Sequence, residues 1–150
     1  MSILWSLQLR RDAASVPFAR RLLLGAMETA GVDPDVCYDL SVALSEACAN
    51  AVEHGGAGGG PAAAYQVTAY LDGERCRIEV SDSGPGFAVD ALCRCAAEPG
   101  SDAENGRGLM LIRKLADHVR VDNLPGAGGA VVSFDKLLKW RENAPLTAAV

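Results

Sequence analysis

Apolar and polar residues alternate over residues 3–9, with Ile3, Trp5, Leu7 and Leu9 on one side, the period of a half-buried strand. The period then lengthens. Across residues 13–30, Val16, Leu23, Met27 and Ala30 recur at helical spacing, Pro17 falls early enough to be tolerated, and Gly31 marks the end. Asp33 reads as the N-cap of a second helix that opens on Pro34 and runs to His54. Residues 55–61 (GGAGGGP) carry no packing side chains and read as a flexible connector. Residues 65–71 and 75–80 return to strand patterning around Asp72-Gly73, a strong hairpin signal. A short helix is expected over residues 89–97, a mobile polar loop over 98–105, and a helix over 109–117. Strands at residues 118–123 and 130–138 follow, joined by a Gly-rich stretch at 125–129. Strands grouped as hairpins predict an α+β fold with two layers, a mixed, mostly antiparallel sheet covered on one face by helices. A single domain over residues 1–139 and a loosely ordered tail over 140–150 complete the expected organisation.

The second helix changes this picture most. At about 100° per residue, Glu46, Asn50, Glu53 and His54 share one arc. Leu40, Leu44, Ala47, Cys48 and Ala51 share another, with Ala43 left as the small residue on the polar side. Mid-helix Asn is a mediocre helix former, and this face has no Lys or Arg to pair with its carboxylates. Such a face asks for a ligand; a solvated face would more often mix signs.

Two glycine motifs answer it. Asp82, Gly84 and Gly86 form a D-x-G-x-G run directly after a strand. An aspartate there can accept hydrogen bonds from an amino group such as that of adenine, and the glycines let the backbone approach closely. Taken alone, the run is equally a plain tight turn. Gly106, Arg107, Gly108 and Leu109 stand at a helix start, where free N–H groups and the helix dipole favour anions. Neither a Gly-x-x-x-x-Gly-Lys-Ser/Thr loop nor a dinucleotide fingerprint occurs.

Composition narrows the classes. A net charge of −5 with no long basic run disfavours a nucleic-acid partner. The lack of an 18-residue apolar stretch or a signal-peptide layout disfavours the membrane and points to a cytoplasmic protein. Five cysteines at irregular spacing, including Cys93 and Cys95, read as free thiols in a reducing compartment before they read as a metal site. Arg10, Arg11, Arg20 and Arg21 are the densest basic positions and either meet an acidic partner or form a solvated face.

E-x-x-x-N on a helix, then D-x-G-x-G, then G-x-G-L resembles the GHKL ATPase superfamily. The strings EACANAVEHG, VSDSGPGF and GRGLMLIRKLAD resemble its anti-sigma-factor serine/threonine kinases, over roughly residues 7–134. The resemblance implies an α/β sandwich that binds ATP with Mg2+ under a lid at residues 98–105. It implies Asn50 as the Mg2+ ligand, Glu46 as general base, Asp82 as the adenine-binding acid, and Gly84 and Gly86 as the turn beneath the nucleotide. Gly106, Arg107 and Gly108 would bind phosphate. His54 is left as a dipole partner at the helix end and Glu53 as a surface acid.

The implied activity is phosphorylation of a small anti-anti-sigma (STAS-type) protein by a kinase that also sequesters a sigma factor, with a homodimer carried over from close relatives. The alternative is a non-catalytic ATP-binding module that controls a partner by sequestration. One departure bears on this choice. The family often has Gly-Thr near the last strand, where this chain has Gly129-Ala130, which removes a hydrogen bond of about 1 kcal/mol near the adenine site. Ser133 would have to replace it from a different strand position.

Overall fold

In the computed structural model, residues 2–54, 64–82, 104–123 and 129–142 are described. Strand β1 (Ser2–Arg10) leads into helices α1 (Ser15–Ala30) and α2 (Pro34–His54). The hairpin β2 (Ala64–Leu71) and β3 (Arg75–Asp82) follows, then helix α3 (Glu104–Leu115) and the pair β4 (His118–Asn123) and β5 (Ala130–Leu137). The strands form one sheet in the order β1-β2-β3-β5-β4. Every described pairing is antiparallel, the arrangement expected for most of the sheet.

Alternation within the strands separates the two faces. Cys76, Ile78 and Val80 of β3 and Val132 and Phe134 of β5 are buried beneath the helices. The intervening positions carry charge: Arg75 pairs with Asp135 at 3.0 Å, and Arg77 stacks over Tyr70 at 4.6 Å. Helix α2 packs against both α1 and α3, and this explains Ala43. That residue is fully buried and not on a polar side, because two flanking helices cover more of α2 than one apolar arc.

Local signals act largely as read. Gly31 takes a left-handed conformation (φ 92°) and its N–H donates to the Met27 and Glu28 carbonyls, ending α1. The Asp33 carboxylate accepts the Asp35 N–H at 2.9 Å beside Pro34 in the first turn of α2. The β2–β3 hairpin forms, but through a different device. Asp72 N–H pairs with the Arg75 carbonyl, so Gly73 and Glu74 are the central residues. The Asp72 carboxylate accepts both the Glu74 and Arg75 N–H groups at 2.7 Å, and these bonds hold its pKa below the ordinary value.

Two boundaries differ. Helix α3 begins at Glu104, so Glu104 and Asn105 of the expected lid are helical and Gly106–Gly108 lie inside the first turns. Trp140 and Arg141, expected in a loosely ordered tail, are tied to the fold. Trp140 Nε1 donates to the Gly73 carbonyl at 3.0 Å, and Arg141 donates to the Gly31 and Glu28 carbonyls. The 55–61 connector, the 89–97 helix, Cys93 and Cys95, residues 125–128, and residues 143–150 lie outside the described residues. Cys37, Cys48 and Cys76 are buried free thiols. No described helix is long and apolar enough to cross a membrane.

Candidate functional site

Register places Asp82 and Ala130 at one end of the sheet. There Arg10 faces Ala64, Tyr65 faces Asp82, Ser81 faces Val131, and Asn123 faces Ala130. Asp82 is the last residue of β3 and continues the alternation of Ile78 and Val80, so it occupies the helix-facing side. Ala130 is buried on the same side, in line with Val132 and Phe134. Ser133 has the opposite parity and opposes Glu79 and Arg120 on the other face, so it does not replace the missing threonine hydroxyl.

The last turns of α2 lie over this end. Arg11, just beyond β1, donates from Nη2 to the Val52 carbonyl at 2.7 Å. The Tyr65 hydroxyl of β2 hydrogen-bonds Ser15 at the start of α1. Ser15 spends its hydroxyl proton on the Asp12 carbonyl, so Tyr65 donates to Ser15. Burial pushes the Cys48 thiol up to about 12 and raises the Tyr65 hydroxyl as well. Burial thus holds the Cys48 thiol in its neutral form within the site helix.

The third element arrives by its dipole. The Leu115 carbonyl accepts from Lys136 Nζ at 2.8 Å, which fixes the C-terminus of α3 at the opposite end of β5. At 1.5 Å per residue, its 12 residues span about 18 Å, so its N-terminus points back to the Asp82 end. The helix packs against α2, and its N-terminal end carries the positive pole of the helix dipole. Leu109 is buried and holds this start against the core. Gly106, Arg107 and Gly108 fall within the helix, while Gly84, Gly86 and residues 98–103 of the lid lie outside the described residues.

Within α2, Glu46 is half-buried, Glu53 exposed, and Asn50 only 9% exposed. Among the described residues the Asn50 Nδ2 is sealed from solvent without a hydrogen-bond partner, a state it shares with Trp5 Nε1 and Arg77 Nε. An unsatisfied buried amide costs about 1–3 kcal/mol, so a native chain keeps one mainly where something else completes it. A carboxamide offers an oxygen to a hard cation and N–H donors to a phosphate oxygen. Asn50 therefore fits a metal–nucleotide complex. Among the described residues no cluster of three or more His, Cys, Asp or Glu could hold a metal ion.

Two contributors escape sequence reading. Arg11 appears there only as a basic surface position, whereas it is part-buried and bonded to α2; Arg10, Arg20 and Arg21 are exposed. Tyr65 reads as one more apolar strand residue, and nothing in its pattern signals a hydroxyl bonded to α1.

Comparison with known proteins bears on the chain as a whole. The family described as histidine kinase-like ATPase domain matches residues 9–136. The serine-protein kinase RsbW of Staphylococcus epidermidis is 29% identical over 144 residues, covering 91% of this chain and 90% of its own length. RsbW of Bacillus licheniformis is 32% identical over 131 residues, covering 82% and 78%. Among solved structures, the RsbU and RsbW domains of Rv1364c from Mycobacterium tuberculosis superpose with a TM-score of 0.62 at 24% identity. That match covers 90% of this chain and 33% of the larger protein. The mycobacterial sensor histidine kinase MprB superposes with a TM-score of 0.54 at 18% identity, covering 70% and 74%. Both likenesses concern the fold, a two-layer α+β sandwich of the GHKL type.

Proposed function

Because the chain belongs to the histidine kinase-like ATPase family, we propose that it is an anti-sigma-factor-type serine/threonine protein kinase. In this reading it phosphorylates a small STAS-type anti-anti-sigma protein and sequesters a sigma factor. The observation that carries the reading is the buried, unpartnered Asn50 carboxamide, one helical turn from Glu46. Its kinship with proteins named serine-protein kinase RsbW supports the choice of reaction.

Each residue has a task that its position suits. Asn50 offers its carboxamide to Mg2+ and the phosphates. The N-terminal N–H groups of α3, with Gly106 and Gly108 leaving them unobstructed and Arg107 adding charge, bind the phosphate oxygens. Asp82, on the helix-facing side, accepts hydrogen bonds from the adenine amino group, with Gly84 and Gly86 forming the turn beneath it. Bound Mg-ATP supplies the electrophilic γ-phosphorus and offsets charge on the phosphates. Glu46 takes the proton from the attacking Ser or Thr hydroxyl as the new O–P bond forms and ADP departs.

Ala130 favours a second reading. It is buried at the site end of β5 and presents a methyl group in place of a hydroxyl, which suits a regulator that holds nucleotide weakly and acts by sequestration. Incubation with γ-labelled ATP, Mg2+ and a STAS-type protein separates the two. Label on a Ser or Thr of the STAS protein is expected. Intact nucleotide binding without transfer would leave the sequestering module.

A further inference from the structure

Helix α2 is described to His54, and the carbonyls of its last turn lie at the negative end of the helix dipole. Arg11 supplies partners for two of them. Its Nε donates to the Ala51 carbonyl at 3.2 Å and the Val52 carbonyl at 3.1 Å, and Nη2 donates to Val52 at 2.7 Å. These carbonyls belong to the two residues that follow Asn50. A guanidinium here also sits at the negative end of the helix dipole, where a cation is favoured.

The turn that presents Arg11 is itself braced. Asp12 N–H donates to the Arg10 carbonyl, Ala14 N–H to the Asp12 carboxylate, and Ser15 N–H and hydroxyl to the Asp12 carbonyl. Ser15 in turn accepts from the Tyr65 hydroxyl of β2. The turn is therefore fixed to the sheet, and through Arg11 it holds α2 at Ala51 and Val52, directly after Asn50.

We propose that Arg11 is a positioning residue for Asn50. It closes the end of α2, and thereby holds the carboxamide where it meets the metal-bound nucleotide. The inference rests on Asn50 as the Mg2+ contact, and its signature is loss of the help that Mg2+ gives to nucleotide binding. A residue that only stabilised the fold would weaken binding with and without the cation alike.

The test measures affinity for a fluorescent ATP analogue in Mg2+ and in EDTA, with thermal melting alongside, for wild type, Asn50→Ala, Arg11→Gln, Arg11→Lys and the Arg11→Gln/Asn50→Ala double variant. Arg11→Gln is expected to lose about tenfold of the Mg2+-dependent gain, a size open to a partly buried cation at a helix C-terminus, and to stay within about twofold of wild type in EDTA. Arg11→Lys retains the charge but not the fork and should fall between. The double variant should be no worse than Asn50→Ala alone. An equal loss in both buffers, or an Arg11→Gln gain like wild type while Asn50→Ala loses its own, overturns the role of Arg11. Retention of the full Mg2+ gain by Asn50→Ala overturns the Asn50 reading instead. If Arg11→Gln fails to fold, Arg11→Lys decides by the same ratio.

Discussion

The two ends of the sheet are built by opposite rules. At the end where α2 begins, polar groups are matched. Asp33 N–H donates to the Lys139 carbonyl, Lys136 bridges the Leu115 carbonyl and lies 3.5 Å from Asp39, and the Asp117 carboxylate accepts Leu137 N–H. Trp140 and Arg141 close the same end onto Gly73, Gly31 and Glu28. At the end where α2 finishes, Asn50 is buried with its amide unpartnered, and a helix N-terminus points inward. Matched polar groups fix a fold, whereas an unmatched one held in place by its surroundings is what a ligand completes. Stability and binding should therefore respond separately to changes at the two ends.

The largest separation is expected from Glu46→Ala, which should cut phosphoryl transfer by about 100-fold or more with nucleotide affinity nearly unchanged. Single-turnover transfer beside equilibrium binding checks this; loss of binding would remove Glu46 as the base. At the other end, Trp140→Ala gives up the Gly73 hydrogen bond and the packing of a half-buried indole. It should lower unfolding free energy by about 2 kcal/mol in urea titration, while ATP affinity holds. A change in affinity larger than the change in stability would join the two ends.

Alkaline pH offers a third way to probe the difference. The thiols of Cys48, near the site, and Cys76, in the core, ordinarily titrate at 9.0 and are pushed up by burial to about 12. Below pH 9 both the folded and unfolded chains keep these protons, so their contribution is fully present. Between 9 and 12 the unfolded chain releases them first, and stability falls by up to about 1.4 kcal/mol per pH unit for each group. Urea midpoints should be flat near neutrality and drop above pH 9, with a shallower slope in Cys76→Ala. An unchanged slope there contradicts the burial of that thiol. The smallest effect belongs to Ala130→Ser, which restores a hydroxyl at the site end of β5 and should tighten ATP binding by about fivefold, the equivalent of one hydrogen bond. Unaltered affinity would place the adenine elsewhere.

Much of this molecule is legible in its residue pattern because the relevant physics is local. Alternation defines the strands, Gly31 and Asp33-Pro34 punctuate the helices, and the company of Asn50 and Glu46 on α2 follows from helical spacing. The start of α3 is not legible, because Gly106 and Gly108 each disfavour helix by about 1 kcal/mol relative to Ala. Only packing, with Leu109 and Ile112 buried, carries the helix back to Glu104. Arg11 and Trp140 fail for a related reason. Their partners, Ala51 with Val52 and Gly73, are distant in sequence, and a basic or aromatic residue after a strand carries no mark of what it will meet.

Backbone amide hydrogen exchange, followed with and without Mg-ATP, tests the two-ended account most directly. Protection should rise at Glu46–Val52, around Asp82 and over the first turns of α3, and stay unchanged at the Asp33–Asp39 and Leu137–Arg141 end. Protection centred on that second end, or spread evenly over the sheet, would contradict a nucleotide site built from the finish of α2, the end of β3 and the start of α3.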